Sequence, residues 1–240
     1  MALGSDVMMV LDECIKYPAS YERTRHAAAR TLDWARRSRT AFAGRGDAGR
    51  QVLFAIVQGG TFPDLRRENV DALVELDFPG YAVGGLAVGE PHALTCEMTE
   101  ATTARLPAEK PRYLMGVGRP EDIPDYVARG VDMMDCVLPT RNARNGYLFT
   151  SQGTLHIKNT RYADDPRPID EACACPVCRR YSRAYLRHLF AAGEILASTL
   201  NTLHNLYFYL ELMRRIRAAI AEGRLASLRT ELHAALATSD

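Results

Sequence analysis

Lysine is nearly absent from this chain. Only Lys16, Lys110 and Lys158 stand among the 30 basic residues of its 240, so arginine is the default cation and its abundance alone names no partner. Long apolar runs are absent too: none approaches the roughly 18–20 residues of a membrane-spanning helix, and no membrane partner is expected. The opening stretch, MALGSDVMMVLDEC, lacks the basic segment and small-residue cleavage site of a secretory leader. Internal repeats and low-complexity tracts are also missing. These absences point to a cytoplasmic location, where the six cysteines read as ligands rather than as disulfides.

What is present fits a globular chain that buries a real core, with 47% hydrophobic and 25% charged residues. The formal net charge of +1 hides an asymmetry: positions 139–190 hold nine Lys/Arg against four Asp/Glu. A locally basic surface is a footprint that nucleic acid can use, although arginine-rich surface loops are also simply solvated.

The first 140 positions alternate short apolar runs with helical patterns. The runs are DVMMVLD (6–12), VLFAIVQ (52–58), YAVGGLA (81–87), RYLMGVG (112–118) and VDMMDCVL (131–138). Stretches such as SYERTRHAAARTLDWARRSRTAF, FPDLRRENVDALVELDF and RPEDIPDYVARG intervene with helical periodicity. Near-continuous apolar strands alternating with helices predict a parallel sheet covered by helices. Polar or glycine residues recur just after the runs, at Asp12, Gln58, Gly84–Gly85, Gly116 and Asp135. In a β/α barrel those positions line the C-terminal rim, where active sites are built. Five such units are fewer than the eight of a closed barrel.

Beyond Thr140 the pattern changes. NARNGYLFTSQGTLHIKN reads as a β-hairpin, RYADDPRPIDE as a loop, and Tyr181 onward as long helices. Between them DEACACPVCRRYSR brings Cys173, Cys175 and Cys178 within six positions. Three thiolates so close can wrap one soft cation, and zinc takes four such ligands tetrahedrally. A histidine is the expected fourth, and spacing alone leaves both His188 and His204 open. With four protein ligands no position stays free for substrate, so the ion would be structural.

The other candidates each have an ordinary explanation. Asp135 at a strand end can serve as a nucleophile or merely cap a turn. Asp12 can accept from a ligand's N–H groups or face solvent. The Gly-Gly pairs of QGG and VGGLAVGE offer unobstructed backbone donors, yet such pairs also simply make turns. Arg141 and Arg144 suit phosphate or a solvated loop.

Taken together, SDVMMVLDEC, AIVQGG, GGLAVGE, YLMGVG, DMMDCVLPTRNARNG, CACPVC and TLHNL resemble, in order and along essentially the whole chain, the bacterial tRNA-guanine transglycosylases (queuine tRNA-ribosyltransferases). The resemblance implies a TIM barrel with a zinc-binding subdomain inserted after its last strand and C-terminal helices packing on the barrel. It implies exchange of the wobble guanine of a tRNA anticodon for 7-aminomethyl-7-deazaguanine (preQ1) in queuosine biosynthesis, through a covalent aspartyl-ribose intermediate. It makes Asp135 the nucleophile and gives the purine to Asp12, Gln58, the Gly85 amide, the Leu86 carbonyl and the face of Met115. Cys14 and Val88 match the bacterial pattern of a preQ1 pocket. Arg141 and Arg144 become anticodon-loop contacts, and one structural Zn²⁺ falls to Cys173, Cys175, Cys178 and His204.

The resemblance also places the five runs at barrel strands four to eight. The first three strands, with the family's second catalytic aspartate, are then expected outside this chain. The regions it predicts are 1–140 for the barrel part, 141–204 for the hairpin and zinc subdomain, and 205–240 for terminal helices. The full-length form is expected to be a homodimer. A barrel part lacking three strands is expected not to catalyse by itself, and the alternative expectation is an inactive fragment or a non-catalytic zinc-containing tRNA-binding partner subunit.

Overall fold

The computed structural model describes residues 4–44 and 51–236; positions 1–3 and 45–50 of the expected barrel region and the last four of the expected helical tail lie outside them. The chain divides into two compact units. One is Met1–Val117 with Asp125–Asp135, the other Gly118–Pro124 with Cys136–Asp240.

In the first unit, β1 (Val7–Met9), β2 (Val52–Val57), β3 (Tyr81–Val83), β4 (Arg112–Leu114) and β5 (Met133–Met134) form one sheet in that order. Each neighbouring pair is parallel, with Val7 opposite Val52, Ala55 opposite Tyr81, Tyr81 opposite Arg112 and Tyr113 opposite Met133. Between them run α1 (Tyr21–Ala43), α2 (Pro63–Glu75) and α3 (His92–Thr103), and α4 (Ile123–Ala128) precedes β5. These are consecutive βα units of a β/α barrel, as expected from the alternation of apolar runs and helical stretches. β2 is apolar at every position because it is sandwiched: Leu53 to Val57 are all buried. Around it pack Val70, Leu73, Tyr81, Val83, Met98 and Leu114.

Local signals set the helix starts. Ser20 caps α1 by accepting from the Arg23 amide at 3.3 Å, and Pro63 occupies the first turn of α2, where its missing N–H costs nothing. α3 is poorly marked in the sequence, because HALTCEMTEATT is rich in threonine, a weak helix former. Its threonines are satisfied within the helix instead. The hydroxyls of Thr99, Thr102 and Thr103 donate to the carbonyls of Thr95, Met98 and Thr99 at 2.7, 2.7 and 3.0 Å.

In the second unit, α5 (Leu138–Arg144) leads into the antiparallel hairpin of β6 (Tyr147–Thr150) and β7 (Gly153–His156). The apolar run that holds β5 therefore ends in helix: Leu138 opens α5 with Pro139 in its first turn. Asp170 fastens the hairpin turn, accepting from the Ser151 amide at 2.7 Å and the Ser151 hydroxyl at 3.0 Å. α6 (Arg183–Ala191), α7 (Ile195–Ala221) and α8 (Leu225–Leu236) follow. The expected division at 204/205 falls inside α7, which continues unbroken across it. A second core of Leu148, Leu155, Ile157, Ile169, Val177 and Leu186 surrounds the cysteine cluster.

Candidate active site and metal centre

The first unit carries a row of side chains just beyond its strands. Asp12 follows β1, Gln58 follows β2, Gly85 and Leu86 follow β3, Met115 follows β4 and Asp135 follows β5. A parallel sheet delivers all these positions to one end, since each strand runs the same way.

Two groups of contacts form there. In the first, the Gln58 Nε2 donates to Asp12 Oδ2 at 2.7 Å. The Gln58 backbone is anchored too, its amide donating to Asn69 Oδ1 of α2 at 2.9 Å. Gly85 has φ of +66°, and a Cβ there would lie 2.3 Å from Gln58 Oε1. Only glycine allows that approach, which leaves the Gln58 carbonyl face and the Gly85 backbone beside each other. Leu86 is buried in the core. Met115 is half-buried and packs on the same core. The Cys14 thiol is pushed up by burial and then by the Asp12 charge, with the Gly85 amide pulling the other way.

The second group is built on Asp135, which is exposed. Its Oδ1 accepts from the Tyr113 hydroxyl at 2.5 Å and from the Gly116 amide at 2.9 Å. Burial, and then the hydrogen bond to Asp135, push the Tyr113 hydroxyl well above its ordinary range. Tyr113 therefore remains a donor at neutral pH. With one carboxylate oxygen held twice, the carboxylate has a fixed orientation.

Beneath the loops lies a residue that the sequence does not advertise. Arg66 of α2 is 1% exposed. Its Nε donates to the Gly60 carbonyl at 2.6 Å and its Nη2 to the Gly84 and Gly85 carbonyls at 3.0 and 3.4 Å. Burial lowers it to about 10, so it stays charged at neutral pH. One guanidinium thus ties the loops after β2 and β3 together by its fork of donors. Arg66→Met is expected to destabilise the chain by about 3 kcal/mol or more, because several buried carbonyls lose a charged donor at once. Urea unfolding checks this; a change below about 1 kcal/mol would mean the carbonyls find other partners.

Glu90 closes the loop after β3. Its Oε1 accepts from the Ala87 amide at 2.5 Å and the Thr95 hydroxyl at 2.7 Å, and its Oε2 from the Val88 amide at 3.0 Å. Burial works to raise its carboxyl, but the Thr95 hydroxyl and the loop amides outweigh it and hold the group below its ordinary value of 4.5. A depressed folded-state value means stability that is present above the unfolded value and lost as pH falls through the folded one. The stability difference between the wild type and Glu90→Gln should accordingly be level near neutrality and shrink below about pH 4.5, as read by chemical denaturation across pH. A difference that stays constant through that window would refute the assignment.

In the second unit the four expected ligands converge. Sγ of Cys173, Cys175 and Cys178 lie 3.9, 3.5 and 3.4 Å from His204 Nδ1. Bonds of about 2.0 and 2.3 Å from zinc to nitrogen and sulfur require tetrahedral N···S edges of about 3.6 Å, so the donor set fits such an ion. His204 is fully buried, and its Nε2 faces the Phe149 carbonyl at 2.8 Å. That bond places the proton on Nε2 and aims the Nδ1 lone pair at the thiols, the usual outer-shell arrangement of a metal-binding histidine. Hydrogen bonds from Cys173 and Cys178 hold the Cys175 thiol well below its ordinary range. His188 sits exposed on α6, away from this set. These four residues can hold a metal ion.

Arg141 and Arg144 are exposed, three positions apart on α5, and so share a face. Their helix is held by Asn205 of α7, the residue after His204. Asn205 donates through Nδ2 to the carbonyls of Pro139 and Tyr147 at 3.0 Å each, and accepts from the Phe149 amide at 3.1 Å. Sequence reasoning overlooked Asn205, Tyr113, Arg66 and Glu90 as site residues. For Asn205 a signal existed: an asparagine in so apolar a helix needs a buried polar partner.

Comparison with known proteins agrees along the length of the chain. The family profile described as queuine tRNA-ribosyltransferase matches residues 1–238. A queuine tRNA-ribosyltransferase of Solibacter usitatus is 59% identical over 225 residues, covering 93% of this chain and 59% of that protein. One from Caldanaerobacter subterraneus is 55% identical over 230 residues, covering 96% of this chain and 60% of its own. A third, from Pelotomaculum thermopropionicum, is 55% identical over 231 residues, with 96% and 61% covered. The chain spans about three fifths of the length of these relatives.

Proposed function

The chain belongs to the queuine tRNA-ribosyltransferase family, and on that premise we propose that it carries the nucleophile, the base pocket and the structural zinc site of a tRNA-guanine transglycosylase. The observation that carries this reading is the doubly held carboxylate of Asp135, at the strand-end position that the family resemblance gives to the nucleophile.

In this reading Asp135 attacks C1′ of the wobble ribose. The C1′–N9 bond to guanine breaks as the C1′–O bond to Asp135 forms, and guanine leaves with a proton from the general acid that the resemblance places outside this chain; that group takes back the ring-nitrogen proton of the incoming base. Incoming preQ1 then attacks C1′ through its own ring nitrogen, losing the proton there and releasing the carboxylate. Two inversions give net retention, as in retaining glycosidases. Tyr113 and Gly116 fix the carboxylate through Oδ1, which leaves Oδ2 for the attack. Asp12, Gln58 and the Gly85 backbone read the purine edge, and an ill-matched base leaves them unpaired, which sharpens discrimination. Leu86 offers its carbonyl to the aminomethyl arm, Met115 packs on the base face, and Cys14 lies beside the pocket. Arg141 and Arg144 bind anticodon-loop phosphates, positioning the extruded nucleotide rather than reading it. Zinc held by Cys173, Cys175, Cys178 and His204 gives structural support, with no part in the chemistry.

The test is incorporation of labelled guanine into a tRNA with a wobble guanosine. It is run on the chain alone and on the chain joined to the N-terminal portion of a longer relative. Incorporation in either form that Asp135→Asn removes supports the reading. Binding of tRNA without exchange in both forms would overturn it in favour of a non-catalytic, zinc-containing tRNA-binding subunit.

A further inference from the structure

A second convergence of ligand atoms lies in the first unit, on residues that the proposed reaction does not use. His92 and Cys96 are four positions apart on α3, one turn along the same face. Asp125 of α4 meets them there. His92 Nε2 lies 3.4 Å from Cys96 Sγ and 3.4 Å from Asp125 Oδ2. The three ligand atoms all fall within 4.8 Å of one another.

The convergence on a single nitrogen separates the possible chemistries. A carboxylate–imidazole–thiol relay needs the acid on one ring nitrogen and the thiol on the other, so that the proton passes through the ring. Here both face Nε2, and the far nitrogen, Nδ1, meets the Tyr126 hydroxyl at 3.2 Å. One N–H cannot be given fully to two acceptors, whereas one cation can accept from all three. Bonds of about 2.0–2.2 Å to nitrogen and oxygen and about 2.3 Å to sulfur put tetrahedral edges at about 3.4 Å for N···O and 3.6 Å for N···S. The two separations from His92 Nε2 lie close to these, and the Cys96 and Asp125 ligand atoms are within 4.8 Å of each other.

The surroundings fit as well. Tyr126 is 4% exposed and packs edge-on against the imidazole, with ring centroids 5.6 Å apart. It fixes the ring and can take the Nδ1 proton, so that Nε2 presents its lone pair. Cys96 is buried, while the His92 side chain is 40% exposed and that of Asp125 14%. The exposed His92 side chain therefore gives an ion a route in from solvent. A thiolate and a carboxylate together balance a divalent charge.

We propose that His92, Cys96 and Asp125 form a second metal site, for a zinc-class divalent cation with water in its open fourth position. It is distinct from the Cys173–His204 centre and borrows nothing from the transglycosylase reading. A metal there would tie the first turn of α3 to α4, just after Glu90 closes the loop that follows β3.

The experiment is a cobalt(II) titration of the full chain already loaded with zinc at its cysteine-rich centre. The wild type is expected to take one further equivalent of cobalt, with thiolate-to-cobalt charge-transfer absorption and visible tetrahedral bands. His92→Gln should abolish that equivalent, and Cys96→Ser should remove the charge-transfer band. Tyr126→Phe, which keeps all three ligands and removes only the hydroxyl that faces His92 Nδ1, should weaken binding by about tenfold or more. Unchanged zinc content and melting temperature would show that each variant is folded. The proposal is overturned if the zinc-loaded wild type takes no cobalt, or if its extra equivalent survives His92→Gln.

Discussion

Asp135→Asn is expected to cost at least about 10³-fold in the rate of base exchange, more than about 4 kcal/mol of transition-state stabilisation. The substitution keeps the shape of the side chain, and an amide oxygen can still accept from Tyr113 and Gly116, the two donors that hold Oδ1. What disappears is the anionic oxygen that would bond to C1′, and an amide is a poor substitute. The loss should therefore fall on kcat, with tRNA binding unchanged, because Asp135 is exposed and both of its donors keep an acceptor in the amide. Tyr113→Phe should show the smaller effect of misplacing that carboxylate, about tenfold, since Gly116 still holds the same oxygen. Single-turnover exchange, with tRNA affinity measured in parallel, checks both. Equal rates for Asp135→Asn and the wild type would remove Asp135 from the chemistry.

The second large effect is expected on metal removal. Stripping the Cys173, Cys175, Cys178 and His204 centre should unfold much of the second unit, with a loss above about 5 kcal/mol, given that structural zinc contributes about 10–16 kcal/mol in isolated zinc-finger peptides. The expectation is smaller than for a peptide because Leu148, Ile157, Ile169 and Leu186 form an apolar core around the cluster. It remains large because Cys175 and His204 are fully buried and would face one another with no ion to bind them. His204→Ala should reproduce the loss, and His188→Ala should not. Thermal melts with and without chelator, with hydrogen exchange across β6 and β7, give the measurement. A chelated chain that melts as before would show that the four residues do not hold a structural ion.

Arg141 and Arg144 belong to the same unit, and their helix is held by Asn205, next to His204 in α7. If these two arginines contact tRNA as proposed, metal removal should weaken tRNA binding as well as stability. The centre would serve RNA recognition by keeping α5 in place, without touching RNA.

The sequence by itself determined the parts of this protein that depend on short-range pattern. Apolar runs such as VLFAIVQ, each with a polar or glycine residue in its C-terminal part, were enough to imply parallel strands delivering Asp12, Gln58, Gly85 and Asp135 to one end, because the alternation of such runs with helical stretches is a local pattern. The spacing of Cys173, Cys175 and Cys178 announced a metal for the same reason. Family resemblance then singled out His204. Tertiary structure decided what local pattern cannot carry. It packed His204 against three thiols from another segment and left His188 in solvent. It made a helix of threonine-rich α3 by letting the hydroxyls bond back to the preceding turn. It buried the charge of Arg66 under carbonyls as far as 19 positions away, set Tyr113 on Asp135 across 22, and brought Asp125 to His92 across 33. The physical reason is common to all of these: a propensity belongs to a residue and its near neighbours, whereas ligation and the satisfaction of a buried polar group belong to atoms that only the folded chain brings together.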